Sequence, residues 1–163
     1  MISAASQTLA RLLAQGLAQI SQEQISFEHP QLWRRDEPGL NLYCYHVQHT
    51  ERLSRSDCRW FDLTFLVGVT HYTRLGEQSL FSEVLSVLSH DQQLPDAIVD
   101  HTLRGYGALQ MRVFTQAPAE NVVFWTVLRA PLQLALHVTL TVPQPLANQS
   151  VPVPKGLTLS QNM

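Results

Sequence analysis

The stretch that most constrains this chain is residues 58–90, CRWFDLTFLVGVTHYTRLGEQSLFSEVLSVLSH, which joins a strongly alternating segment to an amphipathic one. Phe61, Leu63, Phe65, Val67 and Val69 recur at every second position, with Asp62, Thr64, Gly68 and Thr70 between them, the period of a strand with one covered face. Each of these apolar side chains contributes about 1.5–3 kcal/mol when fully covered, so the strand is expected at the centre of the core. The chain then turns at Thr73, a residue able to accept hydrogen bonds from the free N–H groups of the next turn, and Glu77 follows where a helix favours negative charge. Leu80, Val84, Val87 and Leu88 return at three- and four-residue spacing with Ser82, Glu83, Ser86 and Ser89 on the other side, which predicts a helix lying across the sheet.

Around this unit the other elements fall into place. Ile2, Ala5, Leu9, Leu12, Leu13 and Gly16 form one helical stripe at the N-terminus, read as a docked helix rather than a targeting leader. EQISFEH is expected to be a short strand with Ile25 and Phe27 inward, QLWRRDEPG a loop, and GLNLYCYHV a second strong strand. The segment QHTERLSRSD is expected to be the loop joining that strand to the central one. LPDAIVDHTLRGYG predicts a helical turn and a loop punctuated by Gly105 and Gly107, LQMRVFTQ a fourth strand, and APAENVVFWTVL a short helix opened by Pro118 and anchored by Trp125 and Leu128. In PLQLALHVTLTV, Leu132, Leu134, Leu136, Val138, Leu140 and Val142 share one face and Gln133, His137, Thr139 and Thr141 the other. The expected fold is α+β: a mixed, largely antiparallel sheet of four to five strands flanked by two to three helices, with an extended C-terminal arm. Residues 1–143 form the domain and residues 144–163 a proline-rich tail.

Composition narrows the function classes. A chain of 163 residues is one domain by size and buries about 70% of its unfolded surface. With a formal net charge of -2, it lacks the basic field that nonspecific nucleic-acid binding requires. No window approaches the ~18 uninterrupted apolar residues of a membrane span, so direct membrane insertion is not expected. Cys44 and Cys58 stand outside any C-x-x-C spacing and read as free thiols in a reducing compartment. The seven histidines are scattered, and neither a metal site, a phosphate loop nor any other cofactor site is expected. Asp62 and His137 could meet on the polar faces of adjacent strands, as a dyad that polarises a nucleophile. No Ser or Cys stands in an elbow motif to be that nucleophile. A monomeric ligand-binding domain or small enzyme using that face is therefore the alternative, not the leading expectation.

Several residues point instead to contact surfaces. Trp33, beside Arg34 and Arg35, either exposes an aromatic contact or caps the core edge. The second strand is apolar or aromatic on both faces, so either helices cover both, or Tyr43 and Tyr45 meet another subunit. Basic residues including Arg52 and Arg55 concentrate between positions 34 and 59, whereas Glu77, Glu83, Asp91, Asp96 and Asp100 crowd residues 74–100. Such a split suits either a solvated surface or head-to-tail association. In the tail, Val151, Val153, Leu157 and Leu159 keep a strand-like alternation, which suits an extended arm laid against a neighbour or a frayed end.

Taken in order, MISAASQTLARLL, GLNLYCYHV, RWFDLTFLVGVTHYTRLGEQSLFSEVLSVL and WTVLRAPLQLALHVTLTVP resemble the N-terminal domain of the tail-terminator or cap proteins of extracellular contractile injection systems. These are phage-tail-like particles of the antifeeding-prophage and virulence-cassette type. The resemblance covers residues 1–143. It implies a mixed sheet flanked by helices, assembled as a homohexameric ring on the last layer of the inner tube, where it ends tube growth and caps or anchors the sheath. Its implied partners are further copies of itself, the inner-tube protein and the sheath protein, with assembly in the bacterial cytoplasm and no enzymatic activity. A ring at the baseplate end of the same particle is a further alternative. Longer members carry a second domain beyond the point where this sequence stops. Trp33, Arg34, Arg35, Tyr43, Tyr45, Arg52, Arg55, Val151, Val153, Leu157 and Leu159 are the expected contact residues.

Overall fold

A computed structural model describes residues 1–33, 37–55, 58–90, 93–114 and 118–146, with the side chains of 51–55, 90, 118 and 119 outside the description. Three helices, α1 (Ile2–Gly16), α2 (Arg74–His90) and α3 (Pro118–Leu128), accompany five strands: β1 (Ile25–Ser26), β2 (Gly39–Arg55), β3 (Cys58–Thr70), β4 (Gln110–Phe114) and β5 (Ala135–Pro145). The sheet order is β1-β2-β3-β5-β4. β1 pairs parallel with β2, and the other three ladders are antiparallel. This is the expected mixed, largely antiparallel α+β fold.

The alternating strands sit where their patterns put them. Leu63, Phe65, Val67 and Val69 of β3 lie beside Leu140, Val138 and Leu136 of β5 and Leu40 and Leu42 of β2. All are buried in one core shared with α1, α2 and residues 94–109. Thr73 Oγ1 accepts from the Gly76 N–H at 3.0 Å, the expected cap of α2. Where α1 crosses α2 the backbones come close: a methyl group on Gly16 would stand 2.6 Å from Val87 Cγ1. Residues 94–109 are tied to α1 through Asp100, whose N–H donates to Thr8 Oγ1 at 2.9 Å and whose carboxylate lies 3.4 Å from Arg11. The same carboxylate accepts from the Thr102 N–H and hydroxyl, which holds it below the ordinary carboxylate range.

Several expectations are corrected. The expected loop over residues 48–57 is strand for most of its length, because β2 continues to Arg55 and pairs across a bulge with β3 down to Cys58. β1 is only a two-residue strand, and Phe27 beyond it is 42% exposed rather than inward. β5 starts at Ala135, leaving Leu132 and Leu134 outside the strand and exposed. The face read as polar is also covered: Asn41, Thr64, His137, Thr139 and Thr141 are buried. Trp33 covers part of that second face. Its side chain is 5% exposed and rests on Gly68, where the missing side chain leaves room for the indole. The exposed alternative for Trp33 is therefore replaced by the core-edge one. The described part of the tail ends at residue 146; residues 147–163 lie outside the description.

Candidate assembly surface

The second face of the sheet is organised around His137 on β5. Burial leaves this imidazole 2% exposed and lowers its pKa, favouring the neutral ring. Phe114 of β4 stacks on it at 5.3 Å, and the rings of Phe124 from α3 and Tyr45 from β2 meet it edge-on at 5.2 and 5.7 Å. The Tyr45 hydroxyl lies 2.9 Å from Nδ1, and desolvation raises the phenol's own pKa. A neutral ring accepting at Nδ1 from a phenol that keeps its proton satisfies both groups. Tyr45 reaches this position because it is the extra residue of the bulge between Cys44 and His46, which re-aims its side chain.

This cluster clamps α3 to the sheet. Phe124 and Trp125 point inward, Phe124 also meeting Tyr45 edge-on at 4.9 Å, and Trp125 is 2% exposed. The opposite side of the same helix is apolar too: Val122, Val123 and Val127 are 54%, 63% and 75% exposed. An open apolar groove of about 520 Å³ runs along it, lined by Glu120, Val123, Phe124 and Val127. A solvated helix normally sets polar residues against its apolar stripe. One without them marks a surface to be covered. The helix ends in a Schellman motif, with the Ala130 N–H donating to Trp125 O at 3.3 Å and the Arg129 N–H to Thr126 O at 3.1 Å. Arg129 takes the left-handed conformation there, with φ 53°.

The expected contact residues separate into groups. Tyr43 is half-buried, with the His29 ring edge-on at 5.0 Å. Tyr45 is half-buried and engaged with His137. Arg52 and Arg55 lie on β2 toward the hairpin end of the sheet, their side chains outside the described residues. Arg34, Arg35, Val151, Val153, Leu157 and Leu159 also lie outside them. The Asp62–His137 pairing does not form. Asp62 is opposite Thr141, whose hydroxyl donates to it at 2.6 Å, and it meets Arg112 at 3.3 Å. His137 is opposite Leu66, four residues along β3 and so about 13 Å away. With its Nδ1 taken by Tyr45 and its ring buried, His137 offers no open base to a substrate. Among the described residues no group of three or more His, Cys, Asp or Glu is placed to hold a metal, and no helix is long and apolar enough to cross a membrane. The outer side of α3 was missed in the sequence, although the run NVVFWTVL, with no polar stripe, carried the signal.

The whole architecture, with both sheet faces covered and an apolar helix turned outward, can be set beside known proteins. The family model described as the Pvc16 N-terminal domain matches residues 4–157. The chain belongs to the Pvc16 N-terminal domain family. Among solved structures, this Pvc16-type domain is similar to the sheath/tube terminator of PVC, an extracellular contractile injection system, in its extended state. The TM-score is 0.70 at 16% identity, over 100% of this chain and 63% of that one. It is also similar to the tube-terminating cap of the anti-feeding prophage, with a TM-score of 0.62 at 16% identity, over 99% of this chain and 60% of that one. The Pvc16-type chain thus spans less than two thirds of either terminator. No curated protein matches it.

Proposed function

We propose that this protein is a tail terminator: a structural cap that assembles as a ring, on the model of a homohexamer, at the distal end of the inner tube of a contractile injection particle. It ends tube and sheath polymerisation there and stabilises the extended sheath. The observation that carries this reading is the match of the Pvc16 N-terminal domain over residues 4–157, joined to a likeness in fold with two terminators along nearly the whole chain. The outward apolar side of α3 supports it, because a ring subunit needs surfaces that neighbours cover. In this reading the partners are further copies of the chain, the inner-tube protein and the sheath protein, met in the bacterial cytoplasm. Tyr43, Arg52 and Arg55 are contact residues in this reading, as are Arg34, Arg35, Val151, Val153, Leu157 and Leu159, which lie outside the described residues. Val123 and Val127 form a further contact, and Trp33 and Tyr45 contribute from buried and half-buried positions.

The test is the length distribution of particles seen by negative-stain electron microscopy in cells lacking the gene and in cells with it restored. Loss should give overlong or ragged tubes without extended sheath, and the intact gene should restore normal length. Genes carrying Arg52→Glu with Arg55→Glu, or Val123→Glu with Val127→Glu, should fail to restore it although the purified variants remain folded by circular dichroism. Particles of normal length, number and sheath state in the deletion strain would refute the terminator role.

A further inference from the structure

The sheet has two open edges, and they fit each other. On the outer side of β2, β1 pairs only with Leu40 and Asn41. β4 pairs with β5 and, at its first residue, bridges from Gln110 to Gln93. Among the described residues no strand covers the outer sides of residues 43–49 or 111–114. Folded proteins ordinarily blunt such edges with proline or charge, yet residues 43–49, YCYHVQH, hold no proline, lysine or carboxylate.

The two open stretches stand at the same height along the strands. Across the ladders, Val47 leads through Leu63 and Leu140 to Met111, and Tyr43 leads through Leu66 and His137 to Phe114. Cys44 and His46, between them, lead in the same way to Val113 and Arg112. Neighbours in a closed ring are related by rotation without rise. With the strands set along the ring axis, the β4 edge of one copy therefore comes level with the β2 edge of the next. Three antiparallel ladders separate β2 from β4, so these strands run in opposite directions and meet antiparallel.

Hydrogen bonding is in phase as well. In an antiparallel ladder, opposite residues aim their N–H and C=O either at each other or both away. Followed through β2, β3, β5 and β4, this rule makes each β2 residue that aims outward level with a β4 residue that also aims outward. An odd number of strands would have put the edges out of phase. The faces agree too. Met111 meets Val47 and Val113 meets Cys44 on the core side, where Val47 is 44% exposed and Cys44 and Val113 are half-buried. On the other side Phe114, 40% exposed, meets Tyr43, and Arg112 meets the exposed His46. Four such pairs cover far less than the about 800 Å² per partner of a stable two-body contact. The joint thus suits a closed ring, in which every copy makes it twice, and not an isolated pair.

We propose that copies of this chain join head to tail by strand addition, residues 111–114 of one copy pairing with residues 43–47 of the next, so that one sheet runs around the ring. This rests on the ring reading above. Cysteine pairs across the joint test it. Val113→Cys sets a thiol opposite Cys44 of the next copy. In a Cys44→Ser background, His46→Cys with Arg112→Cys sets a pair on the other face, at two exposed positions that the fold does not need. One of these two pairs falls at a non-hydrogen-bonded position, where opposite residues come closest. His49→Cys with Arg112→Cys, in the same background, is out of register by about 10 Å. Each variant replaces the gene in particle-forming cells, whose lysates are oxidised and separated without reductant. At least one in-register variant should give a covalent ladder beyond two copies, and the out-of-register variant about tenfold less. Dimers alone, equal crosslinking in the out-of-register variant, or no ladder from either in-register variant would overturn the joint. Particle length in the same strains reads the terminator role separately. Normally capped particles without a ladder refute the joint alone, whereas a ladder together with normal particles in the deletion strain refutes the terminator role alone.

Discussion

Arg129 occupies a position that backbone geometry reserves for glycine. Its φ of 53° brings an L side chain close to the following carbonyl, a cost of about 1–2 kcal/mol that glycine escapes. Arg129→Gly should therefore stabilise the fold by about 1 kcal/mol after the added entropy of the unfolded chain is deducted, seen as a higher urea midpoint at unchanged slope. His137 gives a pH-dependent prediction of definite sign. Its folded pKa is lowered by burial, so on acidification the unfolded chain takes the proton first. The stabilisation from the neutral ring is complete above about pH 6.5, the ordinary histidine value, and is lost as pH falls from there through the folded pKa. His137→Gln keeps an acceptor for Tyr45 but does not titrate. Urea titrations should find the variant about 1 kcal/mol less stable at pH 8, with the gap to wild type narrowing toward pH 5. A gap that is constant with pH would place the ring outside the titration.

At the scale of elements, Gly16 and Val87 decide how closely α1 approaches α2. Alanine in a helix ordinarily gains about 0.5–1 kcal/mol over glycine, but here its methyl would overlap Val87, and overpacking costs about 1–3 kcal/mol. Gly16→Ala should thus destabilise the protein, and Val87→Ala in the same chain should recover part of the loss; a stabilised single variant would show that the helices part freely. The elements also show what was legible beforehand. β3, α2 and the later part of β5 follow directly from their periods, because one face of each is buried against the same core. Period gives a face but not a register, so Asp62 and His137 were correctly placed on one side of the sheet and wrongly placed together. The extension of β2 escaped notice because polar residues such as Gln48 and Thr50 pair in a ladder as readily as apolar ones when the hairpin carries them. Trp33 could be located only once Gly68 was seen to leave space beneath it. Of the two alternatives read for the two-sided strand, cover by a helix is seen at Tyr45, which Phe124 of α3 meets edge-on, whereas the outer valines of α3 were assigned to nothing.

For the whole molecule, the sheet order sets the sequence of events in synthesis. β5 is the last described strand to be made, yet it lies between β3 and β4, pairing Thr139 with Thr64 across a large separation in the chain. The β2–β3 hairpin can form as soon as it emerges, while contacts so distant in sequence close late. Until β5 arrives, one flank of β3 is open and apolar, β4 is joined to earlier residues through the bridge from Gln110 to Gln93, and α3 has no His137 against which to seat Phe124. A polypeptide cut anywhere before β5 is thus not a smaller version of the domain but an adhesive fragment with no finished outer surface. The domain is therefore finished only once translation has passed β5, and broken or prematurely ended chains cannot stand in for it.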